Sequence, residues 1–154
     1  MASTDFQSVL RQRMVDTIQA FMATYQDASV QKDASLINRN STSNCTRHLL
    51  PASVTEAFNL PSDFFFDNAG IEVALASDLK VLKFEDAIIS NVVIDTQALR
   101  AAFTTISKIR TDAGERYNAE GAWTLYFTVD GTKVKKVIEF CDKDVLVRMA
   151  GESK

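Results

Sequence analysis

The sequence predicts an α+β fold in which three N-terminal helices pack on a curved, mostly antiparallel sheet. In residues 5–37, apolar side chains recur at spacings of three and four, as in amphipathic helices. From Leu79 onward the chain turns to short segments rich in Val, Ile, Thr, Phe and Tyr, which are typical of strands. Helices followed by strands are the order of a domain whose helices cover one face of a sheet. Such a half-open cone leaves a cavity between helices and sheet.

The individual elements follow from local signals. Pro51 ends a loop that runs into a short strand within residues 39–53. Pro61 to Asp63 are typical of a helix start, and a helix is therefore expected directly after them. The three predicted helices cover residues 5–26, 30–37 and 64–76. The four later strands are predicted over residues 81–94, 99–110, 122–129 and 133–141.

The last hairpin predicts which side chains share a face of the sheet. Asp130 and Gly131 fit a two-residue type I′ turn, which needs positive φ at both positions. Counting back from that turn puts Trp123 on one face and Tyr126 with Glu139 on the other. Both faces carry apolar residues, so the pattern alone does not decide which of them lines the cavity.

Composition limits the class of protein. The 154 residues are expected to form one domain, residues 1–154, with 46% hydrophobic and 24% charged residues. A net charge of −3 argues against a broad nucleic-acid surface. No signal peptide and no membrane-spanning apolar run are visible, so we expect a cytoplasmic protein with two reduced cysteines. One histidine and no nucleotide motif predict neither a metal nor a cofactor.

Two titratable side chains stand out as candidates for acid–base chemistry. His48 is the single histidine, and its ordinary pKa lies near neutrality. Glu139 lies in an otherwise apolar run, where burial raises the pKa of a carboxyl group and suits it for proton transfer. The alternatives are a structural histidine and a solvent-facing glutamate paired with Lys135.

Three segments resemble one known group of proteins. They are Cys45–Ser53, read CTRHLLPAS, then Val92–Phe103, then Val134–Asp142, read VKKVIEFCD. With the order of elements, they resemble the NTF2-like or SnoaL-like superfamily over residues 14–142. Within it they are similar to small fungal enzymes of secondary metabolism, namely the cofactor-free isomerases of meroterpenoid biosynthesis and a semipinacolase.

The resemblance implies a set of site residues. It matches Arg39, Tyr117 and Glu139 to polar groups of the pocket, and His48 lies close to a polar position of the first strand. A bulge at Gly121 would bring Tyr117 onto the face of Glu139. Gly121 itself stands where a second pocket tyrosine is expected. Three aromatic residues are expected to contact the substrate: Phe65, Trp123 and Tyr126.

The expected function is a cofactor-independent isomerase or cyclase that rearranges an apolar polycyclic or polyketide-derived substrate by acid–base chemistry. A dehydratase of the same fold and a non-catalytic binding or scaffold protein are the alternatives, because this fold serves many roles. An open cavity with convergent polar groups favours an enzyme, whereas a cavity filled by aromatic rings favours a scaffold. Apolar residues on both sheet faces predict a homodimer.

Overall fold

The computed structural model describes residues 4–152, which form four α-helices, one 3₁₀ helix and one six-stranded sheet. The helices are α1 (Thr4–Gln31), the 3₁₀ helix (Ala34–Asn38), α2 (Ala52–Ala57), α3 (Asn68–Asp78) and α4 (Lys143–Glu152). The strands are β1 (Ser41–Leu50), β2 (Phe65–Phe66), β3 (Leu82–Asp95), β4 (Arg100–Thr111), β5 (Arg116–Phe127) and β6 (Val134–Cys141). No helix in this part of the chain is long and apolar enough to cross a membrane.

The sheet has the strand order β2-β1-β6-β5-β4-β3, in which β1 runs parallel to β6 and every other pair is antiparallel. Helix α1 packs on the inner face of this sheet, where its Met14, Ile18 and Phe21 join Leu125 and Phe127 in the main core. The predicted α+β class, with helices on a mostly antiparallel sheet, is confirmed.

Helix α1 is longer than the 5–26 that we predicted. It continues to Gln31 because Ala28 and Ser29 are buried, and the Ser29 hydroxyl accepts a hydrogen bond from the Phe84 N–H at 2.8 Å. The helix ends at Gln31, because the next residue, Lys32, has a φ of 54° in the left-handed region. The second helix, predicted over 30–37, is therefore reduced to the 3₁₀ turn.

The third helix begins later than predicted. Phe65 and Phe66 pair with β1 as the short strand β2, so the helix expected over 64–76 starts only after Asp67. The Asp67 carboxylate accepts a hydrogen bond from the Gly70 N–H at 2.7 Å and caps the helix. Phe64 and Phe66 are partly buried and Phe65 is exposed, an alternation that follows the two-residue period of a strand.

The last hairpin differs from the predicted register by one residue. Tyr126 pairs with Lys136 but Phe127 pairs with Val134, so Lys135 bulges out of the ladder. A one-residue slip moves every later side chain to the opposite face. Glu139 therefore pairs with Trp123 and shares its face, where the prediction had separated the two.

Helix α4 was not predicted. The Asp142 carboxylate accepts from the Val145 N–H at 3.3 Å at its start, and its Met149 packs with Leu82, Ile109 and Tyr117 in a second core cluster. This cluster lies beside the cavity, since Met149 and Ile109 also line it. The C-terminal helix thus closes one end of the cavity.

Candidate active site

A cavity of about 380 Å³ lies between the inner face of the sheet, α1, α3 and α4. Most of its wall is apolar, with five aromatic rings besides Tyr25: Phe58, Phe64, Phe66, Phe84 and Trp123. The wall also carries a few polar side chains: Tyr25, Asp78, Glu85, Ser107, Lys108 and Glu139. A mostly apolar cavity with few polar groups is typical of a small-molecule site. The aromatic rings line this space and do not fill it.

Glu139 is the predicted catalytic residue that the structure places in the cavity wall. The bulge at Lys135 turns it inward, opposite Trp123. Burial raises the pKa of its carboxyl group, and two neighbours oppose that shift: the Cys141 thiol, which donates to Oε2 at 3.4 Å, and the positive charge of Arg47. A carboxyl group whose pKa is raised in this way is suited to accept and return a proton.

Tyr25 faces the same cavity from α1. Its ring lies 5.6 Å from that of Phe84 and 6.5 Å from that of Trp123, between centroids. Burial raises the pKa of its hydroxyl strongly, the charges of Glu139 and Cys141 act in the same direction, and Arg47 opposes them. The hydroxyl therefore stays protonated and can donate a hydrogen bond to an oxygen atom in the cavity.

Arg47 is a buried cation that sequence reasoning missed. It is 4% exposed, lies behind the cavity wall, and its guanidinium sits 4.9 Å from the Phe21 ring centroid. Its Nη2 donates to the Ile37 carbonyl at 2.9 Å, whereas Nε and Nη1 have no hydrogen-bond partner among the described residues. The charge lowers the pKa of both Glu139 and Tyr25. The alternation Cys45-Arg47-Leu49 was the available signal, because those three share the inner face of β1.

Trp123, predicted to contact the substrate, does line the cavity. Its Nε1 donates to the Thr105 hydroxyl at 2.8 Å and fixes the indole on the inner face. Gly121 makes room for this, because a Cβ there would lie 3.2 Å from Nε1 and 3.4 Å from the Thr105 hydroxyl. The edge of the indole therefore takes the space beside Gly121, where the side chain of a pocket tyrosine was expected.

Arg39 does not reach the cavity. Its guanidinium is exposed and forms an ion pair with Asp27 at 2.8 Å on the surface, because the 3₁₀ helix turns this end of the chain outward. Its backbone carbonyl accepts from the Lys133 ammonium at 2.9 Å. The structure therefore does not bring Arg39 to Glu139, and the buried arginine near Glu139 is Arg47.

Tyr117 shares a sheet face with Glu139 without a bulge at Gly121, since the β4–β5 ladder is continuous. It lies six residues from Trp123 along β5, about 20 Å away, and does not line the cavity. Its hydroxyl donates to Glu152 at 2.8 Å, which raises its pKa to about 12. Its contacts link β5 to α4.

His48, Phe65 and Tyr126 lie on the outer face of the sheet. His48 Nε2 is 2.9 Å from the Thr46 hydroxyl, its ring lies 5.4 Å from Phe65, and partial burial lowers its pKa, as does the charge of Lys136. Phe65 is 47% exposed. Tyr126 is covered by Arg100 at 5.1 Å and by Lys136 at 5.2 Å. None of the three lines the cavity. Side chains alternate between the two faces of a strand, and in each case the preceding residue points inward.

Asp78 was also missed by sequence reasoning. It is the last residue of α3 and lines the cavity, where burial raises its pKa to about 6. No group of three or more His, Cys, Asp or Glu within residues 4–152 is arranged to hold a metal ion.

The sequence matches no family model and no curated protein. Solved structures do resemble it. BvnE pinacolase from Penicillium brevicompactum has a TM-score of 0.76 at 19% identity, covering 93% of this chain and 95% of that one. PrhC from Penicillium brasilianum has a TM-score of 0.74 at 18% identity, covering 93% and 89%. An NTF2-like protein from Burkholderia xenovorans has a TM-score of 0.58 at 13% identity, covering 90% and 95%. The fold is NTF2-like.

The NTF2-like cone gathers groups that are far apart in sequence. Tyr25 comes from α1, Arg47 from β1 and Glu139 from β6, and they meet because β1 pairs with β6 beneath α1. The carboxyl group can exchange a proton, the hydroxyl can donate a hydrogen bond, and the guanidinium balances the charge between them. This arrangement supports proton transfer to or from a bound organic molecule.

Proposed function

We propose that this protein is a cofactor-independent isomerase or cyclase of fungal secondary metabolism. It takes an apolar polycyclic or polyketide-derived substrate into the cone and starts a rearrangement by moving a proton. The cytoplasmic location and the independence of metals and nucleotides belong to the same proposal. The similarity in fold to BvnE pinacolase supports the reaction class as an analogy.

The observation that carries the proposal is the setting of Glu139. Its carboxyl group lies in a mostly apolar cavity, with a pKa raised by burial and with Arg47 as the nearby cation. Structural carboxylates are usually solvated or directly ion-paired, and no ion pair of Glu139 is present in the described part of the chain. A titratable group in this setting marks a site of acid–base chemistry.

In the proposed reaction, Glu139 removes a proton from a carbon or hydroxyl group of the substrate. The electron pair left behind moves into the substrate, and the Tyr25 hydroxyl donates a hydrogen bond to the oxygen on which negative charge develops. Glu139 then returns the proton at a second atom, so no net proton or electron is lost. Arg47 acts as a positioning residue that limits the rise in the pKa of Glu139.

Solvent exchange tests this chemistry without knowledge of the natural substrate. A panel of polycyclic ketones, starting with 2-tetralone, is incubated with the protein in D₂O, and deuteration next to the carbonyl is followed by NMR. We expect the protein to accelerate exchange, and Glu139→Gln to lower that rate by about 10²–10⁴-fold. Exchange that is lost on EDTA treatment and restored by one metal would contradict cofactor independence.

The same experiment separates the alternatives. Ketones that bind in the cavity without any exchange, in wild type as in Glu139→Gln, would favour the non-catalytic binding protein. A substrate that loses water rather than rearranging would favour the dehydratase, which needs the same proton-transfer groups.

We further propose a homodimer formed through the outer face of the sheet. Ile88 and Ile106 pair there across β3 and β4 and are 44% and 36% exposed, beside Phe140 at 51%. Sedimentation velocity at micromolar concentration should show a dimer, and Phe140→Glu should dissociate it. Val129→Glu is the control, because Val129 is 80% exposed in the β5–β6 loop, away from this patch. A monomeric wild type would overturn the proposal.

A further inference from the structure

We infer that Asp78 forms a second polar subsite of the cavity, which receives a protonated amine of the ligand. This inference deepens the proposed function by naming a chemical feature of the substrate. An apolar ring system would fill the cavity, Glu139 would meet the reacting atoms, and a basic nitrogen would lie against Asp78.

The first support is that the Asp78 carboxylate has no hydrogen-bond or ion-pair partner in the part of the chain that the structure describes. It lines the cavity, it is partly buried, and burial alone shifts its pKa, with no side chain or backbone N–H between residues 4 and 152 donating to it. Two other aspartates do have partners: Asp67 caps α3 and Asp27 pairs with Arg39. A carboxylate that faces an apolar cavity without a donor has unmet bonding capacity that a ligand can use.

The second support is the position of Asp78 in its helix. It is the last residue of α3, where the carbonyl groups of the final turn carry partial negative charge. A carboxylate there is disfavoured by the helix as well as by burial, so the position does not serve the stability of α3. Residues that break local rules in this way are expected at functional sites. The partial charge of the helix end adds to the attraction of the site for a cation.

The third support is that Asp78 is separate from the acid–base group. Burial alone raises its pKa, with no contribution from a neighbouring charge, whereas Arg47 and Cys141 act on Glu139. Asp78 comes from α3 and Glu139 from β6, on different walls of the cavity. The other charged side chains in the wall are Glu85 on β3 and Lys108 on β4. A ligand can therefore contact Asp78 through one group and Glu139 through another.

The complement of an unpaired carboxylate in a low-dielectric cavity is a cation with N–H donors. A protonated amine supplies both charge and hydrogen bonds, and such charge-assisted bonds are about twice as strong as neutral ones. A neutral ring system of the same shape gains only the apolar contacts. The site should therefore discriminate between a cationic and a neutral ligand of equal size.

Fluorescence titration with two tricyclic probes tests the inference. 9-Aminoacridine is cationic and 9-anthracenemethanol is neutral, so they compare charge at similar size. We expect wild type to bind the cation more tightly, and Asp78→Asn to weaken the cation by about tenfold or more while leaving the neutral probe within about twofold. Between pH 5 and pH 7.5, affinity for the cation should rise as Asp78 ionises, and Asp78→Asn should lose most of this rise and keep only the part that comes from Glu139.

Two control variants make the result decisive. Glu85→Gln removes another carboxylate of the wall and should weaken the cation much less than Asp78→Asn does, with the neutral probe unchanged. Glu139→Gln should keep the cation bound while losing deuterium exchange, so a failure of the subsite is distinguishable from a failure of the proposed chemistry. The inference is overturned if wild type does not prefer the cation, if Asp78→Asn weakens both probes equally, or if Glu85→Gln has the same effect as Asp78→Asn.

Discussion

The two faces of β1 place the neighbouring residues Arg47 and His48 in different surroundings. Arg47 points inward, is buried, and acts on the pKa of Glu139 and Tyr25. His48, the next residue, points outward to Thr46 and Phe65 and lies outside the cavity wall. By residue type, the histidine is the better acid–base candidate at neutral pH. The difference teaches that the face of the strand, and not the residue type, decides which side chain acts on the groups of the cavity.

The largest expected contrast between the faces is catalytic. Glu139→Gln keeps the shape of an inner-face residue and removes its titrating proton, so turnover of an exchanged ketone should fall by about 10²–10⁴-fold. His48→Ala, on the outer face, should leave the rate within about threefold. Rates measured by NMR on both variants check this. Loss of activity in His48→Ala alone would move the chemistry to the outer face and overturn our assignment.

The next contrast concerns two arginines. Arg47→Met leaves the Ile37 carbonyl without its buried donor, so we expect a loss of about 1–3 kcal/mol in the free energy of unfolding. It also removes the cation near Glu139, so we expect an upward shift in the pH profile of kcat/KM. Arg39→Met breaks an exposed pair with Asp27 and should cost about 0–1 kcal/mol. Urea denaturation of both variants measures the difference. Equal losses would show that Arg47 has no special role in the interior.

A smaller expected effect is on the pH dependence of stability, which we compare for Asp78 in the cavity wall and Asp63 at the surface. Burial raises the pKa of Asp78 from 3.8 to about 6, so the folded state binds more protons than the unfolded state in that range. The free energy of unfolding should therefore fall as the pH rises from 4 to 6, by up to about 3 kcal/mol from this group. Asp78→Asn should remove that part of the slope. Asp63→Asn, at an exposed residue outside the cavity wall, is the control and should leave the slope unchanged.

The smallest expected effect is on stability, which we compare for substitutions at the neighbouring residues Gly121 and Ala122 of β5. Gly121→Ala places a Cβ 3.2 Å from Trp123 Nε1 on the inner face, and the indole must shift, so we expect a loss of about 1 kcal/mol in stability. Ala122→Ser, exposed on the outer face, should stay within about 0.5 kcal/mol of wild type. Thermal unfolding with tryptophan fluorescence reports both. A stabilised Gly121→Ala protein would show that the indole relaxes freely.

Much of the fold was predictable because hydrophobic periodicity is a local property. Helix α1 and strands β3, β4 and β6 were placed within a few residues of their ends. The miss at Phe64–Phe66 has a local cause, since three consecutive aromatic residues fit either period and only pairing with β1 selects a strand. Asp67 was the overlooked signal of the true helix start.

The site was less predictable because it depends on register and on packing between distant elements. Glu139 and Trp123 were named from the sequence and do line the cavity, whereas Arg39, His48, Tyr117, Phe65 and Tyr126 lie outside its wall. Their roles were inferred from residue type and resemblance, neither of which reports the direction of a side chain. Arg47 carried only the weak signal of its alternation with Cys45 and Leu49, and Asp78 carried none, so the burial of Arg47 and the place of Asp78 in the cavity wall became clear only from the structure.

The sequence by itself determined the long first helix, the four later strands of the apolar sheet and the presence of a carboxyl group in an apolar run. It did so because each of these depends on residues close together in the chain. The bulge at Lys135, the inward turn of Glu139 and its meeting with Arg47 and Tyr25 were decided by the tertiary structure. They depend on which side chains pack in the core. Val134 and Val137 are both buried, although a regular strand turns residues three apart to opposite faces, so a bulge between them is needed.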